Sequence, residues 1–275
     1  MRKKQWDIPY IVLICVLSAA SLIMFVPYLW MLLLSFKSNV EILRDSTSLL
    51  PKKPTLQGYH TVVSDAPFMR WFFNSLLTSA IVTAGTLFSS SLAGYIFAKF
   101  TFRGKKILFV VILATLMVPF QVVMIPTYLI ISKLHLINNL SAIVVPYLVS
   151  SFGIYLCKQF VEGIPRDLIE ACRIDGAREF RIYLSVIIPQ ITPAMSALGI
   201  FTFMSAWNNY LWPLIVLNEE QKMTVPLALV FFNSHHSVNY NVVMSAAVLI
   251  MIPVLIIFLI FQRQFIKGLT MTGIK

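Results

Sequence analysis

Six stretches of the chain carry no formal charge at all: residues 8–36, 71–98, 107–132, 134–157, 182–218 and 223–262. A helix that crosses a bilayer needs about 20 mainly apolar residues, so each stretch is long enough to hold one. Inside a bilayer every backbone N–H and C=O has to find its partner within protein, which makes helices the natural reading of such segments. The composition agrees: 58% of the 275 residues are hydrophobic and only 12% are charged, against about 25% charged in soluble domains. The expected fold is an all-α membrane protein with six transmembrane helices, near 11–34, 72–97, 107–131, 141–161, 190–214 and 242–262. The last two uncharged stretches exceed one span, and polar and helix-breaking segments divide a loop from each. The run that follows Arg2, Lys3 and Lys4 stays apolar as far as Phe36. That is too long for a signal-peptide core, so it reads as an uncleaved first span.

The formal charge of +11 would suit a nucleic-acid binder, but its distribution fits membrane topology instead. With six spans, fifteen Lys and Arg fall on one side and seven on the other. The positive-inside rule then makes both termini, the 99–106 loop and the polar stretch 158–181 cytoplasmic. No role with nucleic acid is implied.

That polar stretch is an island between apolar runs. Its centre reads Ile164-Pro165-Arg166-Asp167-Leu168-Ile169-Glu170-Ala171-Cys172-Arg173-Ile174-Asp175-Gly176-Ala177, and it leads through Phe180 to Pro189. Pro165 suits a first helical position, where its missing N–H would be unpaired anyway. Asp175-Gly176 is a turn signal that ends one helix and starts another. Two short helices, unable to span, would form a platform on the membrane surface. A lipid-binding amphipathic hairpin is the plainer alternative, but such helices are net basic. Here five basic residues face five acidic ones (Glu162, Asp167, Glu170, Asp175 and Glu179).

The island resembles the signature loop of membrane subunits of binding-protein-dependent ABC importers: Glu-Ala-Ala, three residues, Gly, then an apolar-Pro. Glu170, Ala171, Gly176 and Pro189 match, as do the flanking Asp175 and Ala177, while Cys172 stands where a second Ala is usual. Pro67 to Ser75 is similar to the start of that family's shared core. Ala206-Trp207-Asn208-Asn209-Tyr210-Leu211-Trp212-Pro213 and the tail from Gln262 to Gly273 resemble its sugar-importer branch. The resemblance implies a type I ABC importer permease fold. Its parts would be a first helix and external segment over 1–69, the importer core over 70–265, and a cytoplasmic tail over 266–275. Glu170, Ala171, Cys172, Asp175, Gly176, Ala177 and Pro189 would form the coupling helix that docks two cytoplasmic ABC ATPase subunits, with Lys267, Gly268, Thr270 and Gly273 near the same interface. It further implies a homologous permease as heterodimer partner, an external solute-binding protein, a sugar or similar hydroxylated solute, and a bacterial inner membrane. No cofactor is bound by this chain on that reading; ATP and Mg belong to the ATPases.

Other residues carry weaker signals. Small and hydroxyl side chains in span two, including Ser75, Thr78, Ser79, Ser90 and Gly94, are expected mainly to let helices approach closely. Gln121, between Pro119 and Pro126, is either a cavity residue or an interhelical hydrogen bonder. Trp207, Asn208 and Asn209 are candidates for the substrate path, since rings stack on sugar faces and amides bond hydroxyls. Tyr210 and Trp212 are accounted for as interfacial aromatics, and His135 as a solvated loop residue. The pair His235-His236, in an external loop over 218–241, lacks a third metal ligand, and Cys15, Cys157 and Cys172 are scattered. No metal site is expected. No Gly-x-x-x-x-Gly-Lys-Ser/Thr stretch offers a phosphate cradle, and apart from Lys158 at the cytoplasmic end of the fourth no Asp, Glu, Lys or Arg lies within an expected span. A proton-coupled carrier would normally need one. A stand-alone facilitator or channel remains the competing class.

Overall fold

The computed structural model describes residues 8–45, 47–235 and 239–270, and every regular element among them is helical. Helix α1 spans Ile8–Leu34 and is exposed from Pro9 to Trp30, as a helix covered only by lipid or a partner would be. The external segment that follows is not all loop. It holds α2 (Asn39–Arg44), whose first turn is capped by the Ser38 hydroxyl accepting from the Glu41 N–H at 3.2 Å, and α3 (Gln57–Ser64). Helix α4 (Phe68–Lys99) is unbroken over 32 residues.

The third expected span is broken. Helix α5 (Lys105–Thr115) and α6 (Phe120–Lys133) meet at 102°. Pro119 sits extended at the break (φ −60°, ψ 139°), and proline disfavours helix in the residue before it while offering no N–H to continue a ladder. The fourth span is bent by 42° between α7 (Ser141–Val144, prolonged by a 3₁₀ turn over Val145–Tyr147) and α8 (Ser151–Glu162). There Ser150 is extended and its hydroxyl caps the Gly153 N–H at 3.1 Å.

Helix α9 (Arg166–Ile174) is the first helix of the island, with Pro165 just outside it as N-cap rather than at its first position. The second helix is not a separate short element. It is α10 (Glu179–Gln190), which passes through a π turn at Tyr183–Ile187 and bends by 80° at Ile191 into α11 (Thr192–Trp207). Span five therefore ends at Trp207, and α12 (Leu211–Val216) is a distinct short helix. The expected 218–241 loop contains α13 (Val225–His235). Helix α14 (Tyr240–Thr270) is the last described element, with Pro253 inside it. Three helices are long and apolar enough to cross a membrane unbroken, Pro9–Leu34, Phe68–Lys99 and Tyr240–Ile260. Counting each bent pair as one span gives six.

Two compact units result, 1–68 with 228–251 and 69–227 with 252–275. In the first, the Asn241 amide donates to the carbonyls of Ser35 (3.0 Å) and Lys37 (2.6 Å), groups left open where α1 ends. A Cβ on Gly58 would lie 2.4 Å from the Asn241 and Ser245 side chains, so α3 crosses α14 with no room to spare. The buried Lys37 ammonium donates to the Ser48 carbonyl.

In the second unit, one core gathers Tyr95, Cys157, Val161, Ile169, Ile182, Tyr183, Ile187 and Leu198, and another gathers Ile131, Ile143, Trp212, Val216 and Leu227. Small residues on α4 permit this. A Cβ on Gly94 would meet the Cys157 Cβ at 2.6 Å and the Lys158 nitrogen at 2.8 Å, which puts α4 in backbone contact with α8. Ser75, Ser79, Ser90 and Ser91 are buried, the packing role expected of them, whereas Thr78, also buried, borders a cavity.

Candidate functional site

The island folds into an exposed knuckle. Asp167 in the first turn of α9 and Arg173 in the last complement the helix dipole. The helix ends in a Schellman motif: the Ala177 N–H reaches back to the Cys172 carbonyl and the Gly176 N–H to the Arg173 carbonyl, both at 3.0 Å. Gly176 has φ +79°, the left-handed conformation that side chains resist, while a Cβ there would meet nothing within 4 Å. Its glycine is demanded by the backbone and not by crowding. Glu170, Ala171, Asp175 and Gly176 are exposed, whereas Cys172 and Ala177 are half-buried against the core that holds Ile169. Pro189 is exposed near the far end of α10. Two apolar side chains also face outward, Leu168 at 41% and Ile174 at 86% exposure.

Beneath the knuckle lies a constellation with no signal in the residue pattern. Arg173 Nε donates to Glu179 Oε1 at 2.6 Å, and the Tyr95 hydroxyl donates to Glu179 Oε2 at 2.8 Å. The Arg173 hydrogen bond, opposed by burial and aided by the Tyr95 hydrogen bond, holds the Glu179 carboxyl below the usual carboxylate range. The Tyr183 hydroxyl pairs with Ser91 at 2.7 Å, and Lys99 Nζ donates to the Ile164 carbonyl.

Midway along the same unit, α4, α7, α8 and α11 enclose a cavity of about 280 Å3. Thr78, Tyr147, Ser150, Thr202, Ser205 and Asn209 supply polar groups, and Phe152 and Phe201 supply ring faces. The bend between α7 and α8 opens it, and hydroxyls from α4 satisfy the carbonyls that the bend frees. Thr86 donates to Tyr147 O at 2.8 Å and Ser89 to Leu148 O at 2.7 Å. Asn209 and the Tyr147 phenol face the same cavity.

Of the path candidates, Asn209 alone lines this cavity. Trp207 is fully buried, edge-on to Phe72 at 5.5 Å and stacked with Phe203 at 5.9 Å, so it packs helices together. Asn208 caps α11 by donating to the Met204 carbonyl at 2.9 Å. Gln121 is exposed in the first turn of α6, outside the cavity. Thr202 and Ser205 were missed, although their i, i+3 spacing is the signal that places both on one face of α11, with Asn209 just past the end of that helix. Trp212 is not an interfacial aromatic: it is fully buried and donates to the Ala142 carbonyl at 2.9 Å. His135 is exposed in a turn, as expected. Among the described residues no group of three His, Cys, Asp or Glu is placed to hold a metal. His236 and Gly273, and the side chains of His235, Lys267, Gly268 and Thr270, lie outside the described residues.

The opposite end of α4 grips another loop. Trp71 donates to the Glu220 carbonyl (2.6 Å), Asn74 to those of Gln221 (3.1 Å) and Met223 (2.9 Å), and Arg70 to the Gln221 side chain (2.7 Å). Ser75 accepts from the Val225 N–H at 2.8 Å. Asn138, in the left-handed region at φ 60°, accepts from the N–H groups of Asn218 and Glu219.

Several apolar helices with a polar cavity among them and an exposed polar knuckle define a multi-pass membrane protein of the permease kind, a class that the family relation bears out. The chain belongs to the family of binding-protein-dependent transport system inner membrane components, which it matches over residues 85–271. It is 37% identical over 274 residues to the arabinooligosaccharides transport system permease protein AraQ of Bacillus subtilis (strain 168), covering 98% of each chain. It is 34% identical over 263 residues to the lactose transport system permease protein LacG of Rhizobium radiobacter, covering 95% of each. In fold it matches a chain of the crystal structure of a bacterial ABC transporter involved in the import of the acidic polysaccharide alginate. That match has a TM-score of 0.85 and 24% identity, and covers 96% of this chain and 99% of that one.

Proposed function

We propose that this chain forms half of the path of an ATP-driven importer for a sugar or a similarly polyhydroxylated solute, and that the solute passes the cavity around Asn209. The cavity carries the reading. Hydroxyl, amide and phenol groups beside two phenylalanine rings offer a sugar both hydrogen-bond partners and flat apolar faces. The named substrates of AraQ and LacG, arabinooligosaccharides and lactose, support the same solute class.

On this reading both termini and the knuckle face the cytoplasm. Two ABC ATPase subunits there bind and hydrolyse ATP with Mg and receive the exposed face of α9. A homologous permease completes the path as a heterodimer, lipid surrounds the spans, and an external binding protein delivers the solute. Closure of the ATPases is passed through the knuckle to the spans, which alternate between inward- and outward-facing states.

Uptake by proteoliposomes holding the full complex tests the assignment. Asn209→Leu is expected to cut uptake about tenfold, the loss of one good polar contact of roughly 1.4 kcal/mol, while the binding protein's own affinity stays unchanged. Wild-type uptake in Asn209→Leu would remove the cavity from the path. Glu170→Lys is expected to leave membrane insertion intact and separate ATP hydrolysis from uptake. Passage of solute through the chain reconstituted alone, without ATP, would instead make it a facilitator.

A further inference from the structure

Resting on the docking role proposed for the knuckle, we propose that Glu179 is the positioning residue that delivers the knuckle's displacement to α4. Three elements meet on its carboxylate. Arg173 comes from the last turn of α9, Tyr95 from near the end of α4, and Glu179 itself opens α10. One oxygen serves each partner, so α9 cannot slide against α4 without losing a contact. The Ser91 to Tyr183 hydroxyl pair, the Lys99 bond to the Ile164 carbonyl, and the close approach of α4 and α8 at Gly94 hold the same end of α4.

The route from the knuckle towards α11 is built differently. It runs through the π turn at Tyr183–Ile187 and the 80° bend at Ile191. π turns and breaks of this kind interrupt the regular ladder that stiffens a helix. A stiff joint and a compliant one thus leave the same knuckle, and a push on α9 goes first into α4. Helix α4 lines the cavity through Thr78, Val82 and Thr86. Tyr95 is nine residues from Thr86, or about 14 Å along an unbroken helix.

The test uses the full complex in proteoliposomes with two readouts: cross-linking of α9 to the ATPase through a photoreactive group at position 171, and solute imported per ATP hydrolysed. Glu179→Ala and Tyr95→Phe are expected to keep the cross-link and lower the import ratio about 3- to 10-fold, a usual size for loss of one coupling contact. Glu179→Gln, whose amide can still accept from Arg173 and donate to the tyrosine oxygen, is expected to restore most of the ratio. A merely structural role would lower the yield of complex and leave the ratio of the surviving complexes alone. An unchanged ratio with the cross-link intact overturns the role of Glu179 and leaves the docking reading standing. Failure of the wild-type complex to cross-link overturns the docking reading itself. Tyr95→Phe leaves the Arg173 ion pair in place and decides the matter if Glu179→Ala does not assemble.

Discussion

The two ends of α4 are fastened by opposite means. At its start Trp71, Asn74 and Ser75 bond to backbone groups of residues 220–225, and Arg70 adds one exposed bond to a side chain, that of Gln221. At its other end Ser91 and Tyr95 bond to side chains, those of Tyr183 and Glu179, and only Lys99 takes a carbonyl. A grip on the backbone tolerates change in the loop it holds. A grip on side chains can be broken from either partner, and titrated.

The contrast can be broken most forcefully at Trp71. Trp71→Ala empties a fully buried site and takes from the Glu220 carbonyl one of its two donors, leaving the Met223 N–H, and should cost about 3–5 kcal/mol. A lower thermal unfolding midpoint of the purified complex would register it. Asn74→Ala leaves two carbonyls without donors and is expected to cost about 1–3 kcal/mol. Gln221→Ala keeps the acceptor that Asn74 uses and should stay within about 0.5 kcal/mol in the same measurement. Equal losses in Asn74→Ala and Gln221→Ala would erase the distinction between the two kinds of fastening.

The smallest effect belongs to pH at the other end. Arg173 holds the Glu179 carboxyl below its ordinary range, so the pair's contribution is complete above that range and is lost as pH falls through the lowered value. Both side chains are more than two-fifths exposed, which limits the contribution to about 0.2–1 kcal/mol. The unfolding midpoint of wild type should therefore drop slightly more than that of Glu179→Gln below about pH 4.

The knuckle was legible in advance because its signals are local. Asp175-Gly176 names its own turn, and Pro165 names where its helix begins. The candidate spans, three unbroken and six when each bent pair is counted as one, were legible as apolar length, but not the breaks within three of them. An apolar run reads the same whether it is straight or bent, and Pro119 in a membrane helix is compatible with either outcome. Trp212 was misplaced because an aromatic at the end of a span serves equally well at the lipid interface or as a buried anchor. Only the carbonyl of Ala142, 70 residues away in sequence, decides between them. The Arg173, Glu179 and Tyr95 contacts lie beyond such reading for the same reason. One crosses a turn over six residues and the other spans 84.

The π turn at Tyr183–Ile187 carries one residue more than the α repeat requires. Drawn into α register, that spare residue would revolve Pro189 and Gln190 by about 100° and move them about 1.5 Å along the axis. Helix α10 is in effect a gear with a single tooth in reserve, set between a fixed base and a bend that must follow.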